Sequence, residues 1–229
     1  MTARYALYAA PAPDDPLWAF GSSIIGYDAA SGLDQGFPSN EPCNEPDWRE
    51  LTEEPRRYGF HGTLKAPFAL AEGQSEAAFL EAAMVFADRR PAFVVPALKV
   101  ALLGSFCALI PSQPSDQLEA LASTVVNVFE PFRAPLTPQD RVRRLKAPLT
   151  ERQVSYLDRY GYPYVLDEFR YHMTLTGRLQ EDRRDTICSA LAKAYAPLDA
   201  PFRVDGLVVF HQVSRSDPFT ILARFPFDG

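Results

Sequence analysis

One pattern occurs twice in this chain, and its recurrence restricts the available folds more than any other feature. The two copies are Phe60-His61-Gly62-Thr63-Leu64 and Tyr171-His172-Met173-Thr174-Leu175: aromatic, His, any residue, Thr, Leu. With only three histidines and ten threonines in 229 residues, Thr two places after His at two of the three is poorly explained by chance. The stretches after the two copies also match. After the first, Phe79, Leu80, Ala83, Met84 and Ala87 have helical spacing, which predicts a helix over 75–89. Pro91 ends it, 93–103 reads as a strand interrupted at Pro96, and 106–110 as another strand beyond the Gly104-Ser105 turn. After the second copy the order is a helix over 181–196, a break over 197–201, and strands over 202–210 and 219–225. Phe93 then aligns with Phe202, Val95 with Val204, Leu98 with Leu207 and Val100 with Val209, as expected of a diverged internal duplication.

Side chains on a strand alternate between faces, so Gly59, His61, Thr63 and Lys65 are expected on one face, and Arg170, His172, Thr174 and Thr176 on the equivalent one. The opposite faces carry Phe60, Gly62, Leu64 and Ala66, and Tyr171, Met173, Leu175 and Gly177, which suit packing under helices. The fold class read from this pattern is α+β: two pseudo-symmetric lobes of mainly antiparallel sheet with outer helices, in a single bilobed domain over 1–229. Approximate bounds are 1–130 for the lobe with His61 and 131–229 for the lobe with His172.

The other segments are read locally. Residues 4–10 form an opening strand closed by Pro11-Ala12-Pro13, and Asp14 or Asp15 caps a helix with Pro16 in its first turn, running through Trp18, Phe20 and Ile24. Residues 31–55, rich in Gly, Pro, Asn and acidic side chains, hold neither period for long, as expected of a substrate lid or of an inert surface excursion. Helices are expected over 115–129 and 150–160, joined by a Pro-rich basic link with Arg141, Arg143, Arg144 and Lys146. That run is either a solvated face or a rim that steers anions.

Composition narrows the function classes. The formal net charge of -6 argues against affinity for long nucleic acids, which needs many Lys and Arg contacts to phosphate, but it leaves room for a local cluster that holds one small anion. Cys43, Cys107 and Cys188 are odd in number and widely spaced without a CxxC pair, so neither a disulfide framework nor a zinc knuckle is expected, and a reducing cytoplasm fits best. The apolar run 5–10 is too short for a signal-peptide core, and no uninterrupted apolar stretch is long enough for a membrane span. With no His-x-His pair or helical His-x-x-x-His spacing, neither a metal nor another cofactor is expected.

Two imidazoles facing one cleft can act as general acid and general base near neutral pH, with threonine hydroxyls beside them as donors to phosphate oxygens. The candidate catalytic set is therefore His61, Thr63, His172 and Thr174. Tyr58, Lys65, Arg170, Tyr171 and Thr176 are candidates for holding the substrate, and the Tyr160-Tyr162-Tyr164 cluster for stacking a base or sugar. His211 follows an apolar strand without a Thr partner and reads as a structural histidine, with a place on the cleft rim as the alternative.

At these residues the chain resembles the 2H phosphoesterase superfamily, whose mark is two H-x-T/S motifs on the lobes of a duplicated α+β fold. The wider phrases from Tyr58 to Phe68 and from Gly161 to Gly177, with the start Arg4-Tyr5-Ala6-Leu7-Tyr8, are similar to its phosphonate-metabolism-associated branch. The resemblance implies a metal-independent cyclic phosphodiesterase, with the two His-x-Thr pairs as its catalytic set. The implied partner is a small phosphorylated substrate, a cyclic phosphate of ribose or a nucleotide. A binding module that holds a phosphorylated metabolite without turnover is the rival expectation, although threonines with Lys and Arg would suffice for binding alone.

Overall fold

The computed structural model describes residues 3–198 and 200–229. In chain order the strands are β1 (Arg4–Ala9), β2 (Tyr27–Asp28), β3 (Leu33–Asp34), β4 (Gly62–Phe68), β5 (Phe93–Val95), β6 (Leu98–Leu103), β7 (Phe106–Pro111), β8 (Met173–Thr174), β9 (Phe202–Val204), β10 (Gly206–Gln212) and β11 (Thr220–Pro226). The α-helices are α1 (Pro16–Ile25), α2 (Trp48–Leu51), α3 (Glu53–Tyr58), α4 (Glu76–Ala87), α5 (Asp116–Val128), α6 (Pro138–Arg144), α7 (Glu151–Tyr160) and α8 (Arg184–Tyr195). The fold is α+β, dominated by a seven-stranded sheet in the order β11-β10-β1-β4-β8-β7-β6, with every pair antiparallel.

The duplication shows as a two-fold relation at the centre of the sheet. Gly62 pairs with Met173, its own equivalent in the second copy. Beside the main sheet β5 pairs with β9, and Phe93 faces Val204, Val94 faces Arg203 and Val95 faces Phe202. Residues equivalent by sequence thus exchange partners across the pair, as in an isologous contact between two copies of one unit. The hairpin that follows each motif lies across this axis. β6 and β7 pair onto β8, while β10 and β11 reach β4 through β1. Helix α4 accordingly packs against β10 and β11, and α8 against β6 and β7. The two halves of the sheet are therefore not the two halves of the chain.

Local signals account for the helices expected from the sequence. The Asp15 side chain accepts from the Leu17 amide at 2.7 Å, Pro16 opens α1, and Gly26 ends it at φ 74°. Ser75 and Ser115 cap α4 and α5, and Thr150 with Gln153 forms a reciprocal capping box on α7. The core gathers around aromatic edge contacts of Phe79 with Tyr5, Phe68 and Phe129, where α4 and α5 meet the sheet. The expected break over 197–201 includes Asp199, which lies outside the described residues.

Three expectations are corrected. First, residues 31–55 are not irregular throughout, because α2 and the start of α3 fall within them. Trp48 is buried and its indole N–H donates to the Ile24 carbonyl at 2.9 Å, while Arg183 bonds Asp47 and Glu45. Buried Cys43, Trp48 and Thr52 and a distant ion pair hold the segment, and none of them produces a local period. Second, the basic link contains α6, capped by Thr137 with Pro138 in its first turn, but without buried residues or the apolar stripe that would announce a helix. Third, Cys107 on β7 and Cys188 on α8 form a disulfide with Cα atoms 5.8 Å apart, and Cys43 alone is free and buried. They stand 81 residues apart, and only the packing of α8 on the β6–β7 hairpin brings them together. The compartment reading that rested on unpaired cysteines loses that support. No helix among the described residues is long and apolar enough to cross a membrane.

Candidate active site

Each motif places its histidine by the same local device. The aromatic residue before it points inward: Phe60 lies against Gly21 of α1, where a Cβ would come within 2.3 Å of the ring, and Tyr171 lies against Gly62, again at 2.3 Å. The leucine after each threonine is buried as well, Leu64 at 2% exposure and Leu175 at 0%. Alternation then turns His and Thr to the open side. His61 Nδ1 lies 2.8 Å from the Gly59 carbonyl, and His172 Nδ1 lies 2.7 Å from the Arg170 carbonyl, in both copies the residue two places before the histidine. A carbonyl only accepts, so Nδ1 carries the proton, and each neutral ring keeps Nε2 as its basic atom. His61 Nε2 accepts from the Thr63 hydroxyl at 3.1 Å.

His61 stacks on Tyr8 with ring centroids 3.7 Å apart and planes inclined by 16°, and His172 sits 5.7 Å from the Phe106 ring. Burial, together with the nearby His172, pushes the His61 imidazole down to about 4 against the bond to Gly59, and burial also lowers His172. Both rings are held toward the neutral form. They line one groove of about 760 Å³, together with Thr63, Thr174 and Thr176.

The substrate-holding candidates divide. Tyr58 lines the groove, its ring stacked on Phe219 at 5.5 Å, and Tyr162 and Tyr164 line it too. Thr176 reaches it, although the residue is buried and its hydroxyl oxygen accepts from the Cys107 amide at 3.0 Å. Lys65 does not line it. Along β1 the step from Leu7 to Tyr8 matches two residues of β4, Lys65 to Thr63, and this irregularity reverses the alternation. Ala66 and Pro67 line the groove instead, while Lys65 is buried against α5 and donates to Glu130 at 2.8 Å and to the Val126 carbonyl at 3.1 Å. Arg170 is exposed outside the groove, with Nη1 donating to the Phe169 carbonyl at 2.7 Å. Tyr171 is the inward anchor of its motif, buried, and its hydroxyl donates to the Ala9 carbonyl at 3.1 Å. Tyr160 is buried in a small cluster with Val126 and Val165, and His211 packs beside Tyr5.

Arg4 and Tyr8 also line the groove, and the motif pattern does not reach them. Alternation along β1 places Arg4, Ala6 and Tyr8 on one face, which was the available signal. Arg143 and Arg144 of the basic link, and Arg215 between β10 and β11, line it as well. Arg141 instead pairs with Asp158 on α7.

The model of a family described as "Protein of unknown function (DUF1045)" matches residues 63–220. The chain belongs to the DUF1045 family. Among curated proteins it is 37% identical over 239 residues to a ribose 1,5-bisphosphate phosphokinase PhnN of Janthinobacterium sp. (strain Marseille), covering 99% of this chain and 51% of the relative. It is 36% identical over 209 residues to the PhnN of Laribacter hongkongensis (strain HLHK9), covering 90% and 48%. This DUF1045 chain thus spans about half the length of the curated relatives it matches. Among solved structures, Escherichia coli LigT complexed with 3'-AMP aligns over 100% of both chains at 14% identity and a TM-score of 0.47. TT0787 of Thermus thermophilus aligns over 100% of this chain and 99% of its own at 14% identity and a TM-score of 0.45. At these values neither structural likeness decides a function.

Proposed function

We propose that this DUF1045 protein is a metal-independent phosphoesterase of the 2H type that opens a cyclic phosphodiester of a ribose or nucleotide. The observation that carries the reading is the matched pose of His61 and His172: both Nδ1 atoms are tied to the carbonyl two residues back, and both rings line one groove. In this scheme His61, the more strongly depressed imidazole, takes a proton from water through Nε2 as the water oxygen attacks phosphorus. The bond from phosphorus to one ring oxygen breaks, and that oxygen takes a proton from the His172 imidazolium. Water and the cyclic diester become a phosphate monoester and a free hydroxyl, and one proton passes from His61 back to His172 to reset the pair. With substrate bound, the Thr63 hydroxyl turns from His61 Nε2, which frees that nitrogen for the water, and Thr63 and Thr174 serve as donors to the non-bridging oxygens, where charge must be held. Tyr58, Tyr162 and Tyr164 offer ring faces for a sugar or base. The name of the longer relatives refers to a phosphorylated ribose, which favours a ribose ester as substrate, and the resemblance of the motif phrases to the phosphonate-metabolism-associated branch favours a setting in phosphonate metabolism.

The test is turnover of nucleoside 2',3'-cyclic phosphates, ADP-ribose cyclic phosphate and ribose 1,2-cyclic phosphate in the presence of EDTA, with His61→Ala and His172→Ala alongside. Activity that survives EDTA and falls by about 10²–10⁴ in each variant is expected. Saturable binding with no turnover would replace the hydrolase with a binding module.

A further inference from the structure

We propose that the groove holds a second anion-binding subsite, built around Arg4 and Arg144, that takes a phosphate monoester carried elsewhere on the same substrate; the proposal rests on the phosphoesterase reading of the histidine pair. The groove adjoins a second cavity of about 610 Å³ lined by neither histidine and neither motif threonine. Arg4, Arg143, Arg144 and Arg215 line both spaces. Asp140 is the one carboxylate among the residues lining the second cavity, and it bonds Arg143 at 2.8 Å and Arg215 at 2.7 Å. A fifth guanidinium lining the second cavity, Arg133, is paired with Glu130 at 2.6 Å; the other four against one carboxylate leave a local excess of three positive charges in a chain of net charge -6. Glu54, on the histidine side of the groove, has Arg57 and Arg178 among its fellow lining residues.

Arg4 and Arg144, the two lining arginines bonded to no carboxylate among the described residues, are the informative ones. Arg4 Nε donates to the neutral Gln212 amide oxygen at 2.8 Å, and its guanidinium lies 5.3 Å from the Phe219 ring centroid. Arg144 lies over Tyr162 at 5.2 Å, and its Nε is buried without a hydrogen-bond partner among the described residues. The Tyr8 hydroxyl, on a fully buried side chain that lines the groove, also lacks a partner among them. Burying polar groups unpaired is unfavourable, and burying charge without a counter-charge more so, so such donors mark a position complementary to an anion. Guanidinium forks suit the several oxygens of a phosphate dianion, and the stacked arginines are already oriented. The reacting phosphate belongs between the imidazoles, so the arginine-lined space serves a different group of the same molecule.

The test compares adenosine 2',5'-bisphosphate with adenosine 2'-monophosphate, which differ only in the second phosphate, by calorimetry on the full chain. The bisphosphate should bind roughly ten- to a hundredfold more tightly, an advantage that shrinks as salt is raised and falls below about threefold in Arg4→Gln and in Arg144→Gln. The wild-type comparison stands even if a variant fails to fold. Equal affinity of the two ligands overturns the subsite, and an advantage undiminished in both folded variants overturns its assignment to these arginines. Turnover of cyclic esters without the advantage removes the subsite alone, whereas the advantage without turnover keeps the subsite and removes the hydrolase.

Discussion

Titration of the His61 imidazole distinguishes a tuned acid–base pair from two histidines that merely share a groove. A shift from 6.5 to about 4 is about 2.5 pH units, equivalent to about 3 kcal/mol against protonation. That figure is an upper bound, since solvent reaches the half-buried ring. A value near 4 would leave about one ring in a thousand protonated at pH 7, so in the proposed scheme His61 is the base and His172 carries the proton that is donated. His172 is also lowered by burial, so kcat/KM should be greatest below pH 6.5, fall about tenfold per unit at higher pH, and fall again below about pH 4. The sign for stability comes from the same shift. Between about 4 and 6.5 the unfolded chain binds a proton at this position that the folded chain does not. The contribution of His61 is therefore fully present above pH 6.5 and is lost as pH falls toward 4. The assay is a proton–carbon NMR titration of labelled histidines, assigned with His61→Asn and His172→Asn, paired with kcat/KM profiles on a cyclic ester. The reasoning is falsified if His61 titrates at about 6 or above, or if kcat/KM peaks above about pH 7.

Single contacts elsewhere in the fold set the remaining expectations. Lys65→Met should leave kcat/KM within about threefold and cost little stability, because Glu130 retains Arg133 at 2.6 Å; Glu130→Ala strands the buried ammonium and should destabilise by about 3 kcal/mol in urea unfolding. A marked loss of activity in a stable Lys65→Met protein would return that lysine to the site. Gly62→Ala drives a Cβ into the buried Tyr171 ring where β4 meets β8, and a loss of about 1–3 kcal/mol is expected; an unchanged melting temperature would contradict the close packing. Thiol counting on denatured protein should give one reactive group without reductant, from Cys43, and three after reduction. Three thiols before reduction, in protein kept from reductant, would count against the Cys107–Cys188 bond.

Much of the scaffold is encoded in short stretches. Helices α4, α5 and α7 were legible because apolar spacing and Ser75, Ser115 and Thr150 caps act within one or two turns. The duplicated motif was legible because each histidine is oriented by its own neighbours: an inward aromatic, an inward leucine and a carbonyl two residues back. Other features depend on partners far away along the chain. Lys65 leaves the groove because β1 and β4 slip register between Leu7 and Tyr8, a mismatch that neither strand displays alone. Cys107 meets Cys188 because α8 packs on the hairpin that follows the other motif. Arg4, Arg144 and Arg215 come from β1, α6 and the turn before β11, and they share a cavity only once the β10–β11 hairpin has paired with β1. Propensity, capping and alternation are properties of neighbouring residues, so they can be read in order. Register, strand exchange and the convergence of like charges are properties of the packed sheet, and they exist only after distant segments have met.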